Sequence, residues 1–286
     1  MARILIGSMP TAGHVNPLLP LARALVARGH QVAWYTGLKH RTKIEAAGAR
    51  YLAMKRTRDY DEADTDAAFP GRAGLRGLAA LKFDIKHVFV DNGIPQLRDL
   101  EEILQDFPAD VMLGEPGFIG GVFHHERTGL PLAVLNVLPM GLSSEDCAPF
   151  GLGLPPDASR LGKLRNRVLN WAMPSVIFRD AQAYWRARRA QVGLSTDEWL
   201  LDTGKRVSLY LQPTVPSLEY PRSDLPSNVR FIGMLPADPP PDLALPDWWA
   251  ELDAGRPVVH VSQGTIANAR PDLIAPAIQG LAGEDV

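Results

Sequence analysis

The sequence predicts an α/β fold, a doubly wound parallel sheet, on three observations. Ile4, Leu5 and Ile6 form a short apolar run closed by Gly7, and Val32 to Tyr35 form a second; both read as buried strands. Between them Leu18, Leu21, Ala22, Leu25 and Val26 recur at helical spacing, and Gly29 ends the pattern as a C-terminal glycine does. Strand, glycine-containing loop, helix and strand make a βαβ unit, the opening of such a sheet.

The later elements follow in order. Lys43 to Gly48 predicts a short helix ended by glycine, and Arg50 to Met54 a third strand. Residues 55–80 change character. An acidic stretch from Asp59 to Asp66 precedes Gly71, Gly74 and Gly77, which predicts a mobile, exposed segment. Asp64 and Asp66 match the Asp-x-Asp pattern of metal–nucleotide sites, but such a pair belongs at a strand end and no apolar run precedes it. The glycines neither follow a strand nor fit Gly-x-Gly-x-x-Gly, which argues against a phosphate cradle.

Leu81, Ile85, Val88 and Phe89, then Leu97, Leu100, Ile103 and Leu104, predict two helices or one kinked at Pro95. Phe83, His87 and Phe89 can face a ligand pocket or belong to ordinary core. Pro108 to Glu115 is a strand ending in an acid, Gly117 to Gly129 a helix, and Leu130 to Leu138 the next strand. His124, His125 and Glu126 are adjacent, so on a helix they point about 100° apart, and they lack metal spacing; a solvated face is expected. Leu161 to Val192 is a long helical stretch split or kinked at Pro174. It ends in Arg186, Arg188 and Arg189, as cations at a helix C-terminus should. Val207 to Leu211 is a strand. Ala237 to Pro246 is a stiff proline-rich linker, Asp247 to Asp253 a short helix, and Pro257 to Ser262 a new buried strand leading into a helix.

Composition bounds the function. At 286 residues, 46% hydrophobic and 22% charged, this is an ordinary globular chain. A net charge of −2 and a pI near 6.4 give no footprint for nucleic acid or an anionic membrane. No apolar run reaches membrane-spanning length. A single Cys147 rules out an internal disulfide, and a cytoplasmic location is expected.

Chemistry gathers at two positions. His14 lies beside a helix start, where partial positive charge favours the neutral ring, at the carboxyl edge of the sheet where a base meets a substrate. A plain capping or polar loop residue is the other reading. Glu115 ends a strand of the same sheet, where a carboxylate can fix a histidine's tautomer or can simply be a solvated acid.

From Arg3 to Leu25 the sequence Arg-Ile-Leu-Ile-Gly-Ser-Met-Pro-Thr-Ala-Gly-His-Val-Asn-Pro-Leu-Leu-Pro-Leu-Ala-Arg-Ala-Leu resembles the amino-terminal signature of GT-B fold UDP-glycosyltransferases, of the bacterial macrolide and natural-product type. The resemblance implies a Rossmann-like acceptor domain in which His14 is the general base. It implies that Glu115, where the family usually has aspartate, orients that base. Met9, Pro10, Thr11, Phe89, Phe118 and Met140 are then assigned to the acceptor. Gly13, with Gly264 and Thr265 of Ser262-Gln-Gly-Thr265, is assigned to the donor phosphate. Implied partners are a small hydroxylated acceptor and a nucleotide sugar such as a UDP- or dTDP-sugar, with no metal and no further cofactor.

The expected organisation is an acceptor-binding domain at 1–236, a linker and short helix at 237–255, and the first strand and helix of a donor-binding domain at 256–286. One strand and one helix cannot bury their own apolar faces, and the family's glycine-rich nucleotide motif has no counterpart before Val286. A truncated chain lacking its carboxy-terminal donor domain is expected, with self-association through the surface so exposed. The leading function is an inverting glycosyltransferase, the 286-residue chain itself binding acceptor only. Alternatives are a non-catalytic acceptor-binding module and a nucleotide-sugar epimerase. A dinucleotide-dependent oxidoreductase would need Gly-x-Gly-x-x-Gly after the first strand, which Gly7 to Gly13 lacks, and an acid after the second, where Trp34-Tyr-Thr-Gly37 stands.

Overall fold

The computed structural model describes residues 1–236, 243–263 and 272–285, the side chain of residue 66 excepted. The chain divides into two compact units, Met1–Pro236 and Ala237–Val286.

The first unit is a seven-stranded, wholly parallel sheet flanked by helices. Its strands are β1 (Arg3–Gly7), β2 (Gln31–Thr36), β3 (Arg50–Ala53), β4 (Val111–Gly114), β5 (Leu132–Leu135), β6 (Leu209–Gln212) and β7 (Val229–Phe231), in the order β3-β2-β1-β4-β5-β6-β7. The helices are α1 (Ala12–Val15), α2 (Leu19–Ala27), α3 (Arg41–Ala46), α4 (Thr65–Ala68), α5 (Gly77–Phe83), α6 (Gly93–Asp106), α7 (Ile119–Thr128), α8 (Arg160–Ala172) and α9 (Arg179–Gln191). Alternate residues of a strand point to opposite faces. Ile4 and Ile6 therefore join Leu18, Ala22 and Trp34 in one apolar cluster, while Leu5 joins Tyr35, Met112 and Phe118 in another.

Pro95 does not break a helix. It lies in the first turn of α6, where a missing N–H leaves no intrahelical bond unmade. The irregularity falls earlier, in a π turn at Asp84–Phe89. Pro174 sits in a second π turn, Met173–Ile177, which joins α8 to α9. Residues 55–80 are not simply exposed: Tyr60, Phe69 and Phe83 pack with Met9 and Val88 in a small cluster of their own.

Among its described residues the second unit contains short 3-10 turns at Asp247–Asp253 and one helix, α10 (Ile274–Leu281). The strand expected at Pro257–Ser262 is not formed, and Val258 and Val259 are exposed. An extended segment with no neighbour to complete its ladder has no partner for its peptide groups beyond water, so its apolar pattern alone does not make it a strand.

Candidate active site

β1 neighbours β2 on one side and β4 on the other, so the winding of the chain reverses between β1 and β4. Connections leave such a switch point on opposite faces and open a crevice at the carboxyl ends. Gly7 lies directly opposite Gly114, so the two loops depart from the same level. One carries Ser8 to Thr11 into α1 and His14; the other begins with Glu115.

The two side chains meet. His14 Nδ1 lies 2.5 Å from Glu115 Oε2. A carboxylate only accepts, so the neutral ring donates from Nδ1 and keeps its lone pair at Nε2. Glu115 is fully buried, and its oxygens are cradled by backbone: the Met9 N–H donates to Oε1 at 2.9 Å, the Gly117 N–H to Oε2 at 2.6 Å. The glutamate accommodates its extra methylene, relative to an aspartate, by curling over its own loop. A Cβ at Gly117 would fall 2.5 Å from Met9 Cγ and 3.2 Å from both carboxylate oxygens. The Met9 peptide is fixed in turn by a relay on β2. The Trp34 indole donates to Ser8 Oγ, Ser8 to Thr36 Oγ1 and Thr36 to the Met9 carbonyl, at 3.0, 3.1 and 3.1 Å.

Burial pulls the His14 pKa down, but the charge of Glu115 and the hydrogen bond to it push harder, and the net shift is upward from 6.5. The helix-dipole expectation of a depressed value is thus overridden. α1 is only four residues long, so its dipole is small beside a contacting carboxylate.

Above the dyad lie aromatic side chains from residues 60–89. The Phe89 ring centroid stands 6.1 Å from that of His14. Tyr60 meets Phe69 edge to face, and burial together with the Glu115 charge raises its hydroxyl's pKa well above the usual value. Glu62 anchors this segment: it accepts from the Ala12 N–H at 3.3 Å and pairs with Lys39 at 3.1 Å. Neither Tyr60 nor the Met9 backbone donor was legible in sequence, since contacts made across 50 or 100 residues leave no spacing to read.

Several anticipated ligand contacts are placed elsewhere. Phe118 is core: its ring occupies the space that a Cβ at Gly7, Gly114 or Gly121 would need, at 2.2, 2.6 and 2.3 Å. Three glycines there let an aromatic ring lie flush under the switch point. Met140 is likewise buried, clustered with Leu142 and Tyr210. Met9 is buried with its sulfur 3.6 Å from Gln96 Nε2, so it offers the site its N–H and not its side chain. Pro10 is buried, and Thr11 keeps a buried hydroxyl without a hydrogen-bond partner among the described residues. Of the six, Phe89 is the one whose ring contact with His14 is seen. Gly13 is exposed on α1, and Gly264 and Thr265 lie outside the described residues.

Among the described residues no three His, Cys, Asp or Glu side chains converge as a metal site. Glu126 is not part of a solvated face but grips Arg189, which is buried and not a free helix-terminal cation. A cavity of about 410 Å³ opens beside the aromatic cluster, bordered by Arg56, Arg58, Phe69, Phe83, His87 and Asp91. A larger open groove, about 650 Å³, runs along Arg3, Gln31 and Arg50 at the starts of β1, β2 and β3. That is the wrong edge of a parallel sheet for a ligand crevice. No helix among the described residues is long and apolar enough to cross a membrane.

No protein-family model matches the chain. Over its whole length it is 45% identical to 4'-demethylrebeccamycin synthase of Lentzea aerocolonigenes, of which it covers 68%. Over 99% of its length it is 32% identical to UDP-glycosyltransferase 2 of Phaeomoniella chlamydospora, of which it covers 65%. Its fold is that of the kitacinnamycin glycosyltransferase (TM-score 0.60, 17% identity, 86% of this chain and 55% of that one). The spinosyn forosaminyltransferase SpnP is similar as well (TM-score 0.58, 18% identity, 100% and 65%). So is the glycosyltransferase SsfS6 of Streptomyces sp. SF2575, solved with thymidine diphosphate (TM-score 0.53, 18% identity, 87% and 57%).

Proposed function

This chain belongs to the GT-B fold glycosyltransferases related to bacterial natural-product sugar transferases, and on that premise we propose that the whole protein transfers a sugar from a nucleotide-sugar donor to a hydroxyl of a small acceptor, with inversion. The observation that carries the reading is the His14–Glu115 pair at the switch point of the sheet. Nε2 of the neutral ring takes the proton of the acceptor hydroxyl. The oxygen forms its bond to the anomeric carbon as the bond to the diphosphate breaks on the opposite face, and the diphosphate leaves with that electron pair. Glu115 stays ionised and stabilises the imidazolium.

Phe89 is the acceptor contact this geometry favours, through its ring beside His14. Gly13, Gly264 and Thr265 are assigned to the donor diphosphate, whose oxygens backbone amides and a hydroxyl can bind without a metal. Residues 1–236 supply the acceptor side of that machinery.

General-base catalysis contributes about 10²- to 10⁴-fold. His14→Ala in the whole enzyme should lower kcat by that factor and leave donor affinity unchanged. Turnover at the unmodified rate, or a product that retains the donor's anomeric configuration, would contradict the reading.

A further inference from the structure

A second histidine–carboxylate pair lines the 410 Å³ cavity. His87 Nδ1 lies 2.9 Å from Asp91 Oδ2, one helical turn along the chain. The other oxygen of Asp91 accepts from the Tyr184 hydroxyl at 2.6 Å and from Arg188 Nη2 at 2.8 Å. Burial disfavours the charged carboxylate, but hydrogen bonds from Tyr184, His87 and Arg188 outweigh it and hold the Asp91 pKa below its ordinary value. An ionised carboxylate only accepts, so Nδ1 is the donor in this contact, and the tautomer with its proton there carries its lone pair at Nε2. Nε2 has no hydrogen-bond partner among the described residues, while 36% of the side chain is exposed. The ring is held by Phe83, centroids 4.7 Å apart, and by the edge contact with Tyr184 at 5.5 Å.

The rest of the wall narrows the ligand. Phe69 and Phe83 line the cavity and also pack with Met9 beside the His14 site, so cavity and dyad border the same aromatic cluster. The Arg58 guanidinium lies over the Phe69 ring at 5.0 Å, and Arg56 shares the rim. The cavity therefore offers aromatic walls, cationic donors at one side and one oriented acceptor, Nε2 of His87. A flat aromatic body carrying an O–H or N–H on one edge and a carbonyl on another matches that set.

We propose that His87, positioned by Asp91, is a specificity-determining residue that accepts a hydrogen bond from an edge O–H or N–H of a flat aromatic acceptor, away from the hydroxyl that His14 deprotonates. This deepens the glycosyl-transfer reading and rests on it for the word acceptor; the binding claim stands on the cavity alone.

The test compares two probes, 2-hydroxyanthraquinone and anthraquinone, titrated into the 286-residue chain and followed by quenching of its tryptophan fluorescence. One hydrogen bond of ordinary strength should favour the hydroxylated probe about three- to tenfold. His87→Phe keeps a ring against Phe83 and Tyr184 but no acceptor nitrogen, and should abolish the preference while anthraquinone affinity stays put. His87→Gln, which places an amide oxygen near the Nε2 position, should retain part of it. If circular dichroism shows that His87→Phe has not folded, His87→Leu takes its place. A purely structural role would weaken both probes alike. Failure of the unmodified chain to bind either probe, equal affinities, or a preference that survives His87→Phe would overturn the proposal. His14→Ala should leave the preference intact. Discrimination by the 286-residue chain, together with no sugar transfer by the whole enzyme, would sink the transferase reading and leave the cavity assignment standing.

Discussion

At His14 two opposed effects set the charge, and on the proposed mechanism the winner fixes the pH at which this residue can act as the base. Burial disfavours the imidazolium, Glu115 favours it, and the carboxylate wins. Neutral His14 therefore forms only above its ordinary value of 6.5, and the acidic limb of kcat/KM in the whole enzyme should have its midpoint above that pH. Glu115→Gln removes the charge and leaves the burial, so the limb should move to lower pH while the plateau falls. An unmoved limb would separate the two residues. The stability linkage has the same origin: the pair's contribution is complete below the unfolded-state pKa and is lost as pH rises through the raised folded value. Gly117→Ala tests the cradle without substituting either residue of the pair. Its Cβ would meet Met9 Cγ and both Glu115 oxygens, so transfer should fall at least tenfold. Steady-state assay of the variant checks it, and full activity would mean that the carboxylate does not need its backbone donors. His14 was legible because its loop carries a recognisable run of residues, and Glu115 because an acid closes an apolar strand. Phe118 was misplaced for a physical reason. An aromatic just beyond a strand end looks the same in sequence whether it faces a crevice or lies under three glycines from three separate elements.

Elements show the same division between period and environment. α8 was readable from Leu161, Leu164, Val168 and Trp171, yet all four are exposed. Helical spacing reports which residues share a face, not what covers that face. Leu161→Lys should accordingly change the unfolding free energy by no more than about 0.5 kcal/mol, as measured by urea titration. Between α7 and α9 the reverse holds, since charges that read as surface are inside. Arg189 is fully buried, gripping Glu126 at 2.9 and 2.6 Å and lying 3.4 Å from Glu198, which Arg206 also meets at 3.1 Å. Burial pushes the Glu198 carboxyl up to about 7, against the pull of Arg206 and Arg189. A carboxyl whose folded pKa is raised binds its proton more tightly when folded. It contributes stability fully below the unfolded value of about 4.5 and loses it as pH rises through about 7. The thermal midpoint should therefore fall between pH 5 and pH 8, and Glu198→Gln should flatten that fall; parallel melting curves across that range would refute the assignment.

For the molecule as a whole, the first unit was legible because strand and helix alternate with glycines at the joints, and a parallel sheet buries nearly every apolar run that such alternation supplies. The second unit was only half legible. A helix was expected there and α10 is present, but the run from Pro257 to Ser262 forms no strand. Sequence pattern records what a segment would bury if neighbours existed, and strand formation needs the neighbours themselves. The distribution of buried side chains makes this quantitative. The apolar clusters of the described residues draw on positions up to Leu235 and on none beyond it, whereas Trp248, Val258, Val259 and Ile278 are each about half exposed or more. Residues 1–236 carry those clusters and the whole sheet, and folding cooperativity comes from shared burial. A chain ended at Pro236 should therefore unfold in a single transition in scanning calorimetry, its calorimetric and van't Hoff enthalpies equal. A calorimetric enthalpy well above the van't Hoff value would mean that the clusters unfold separately.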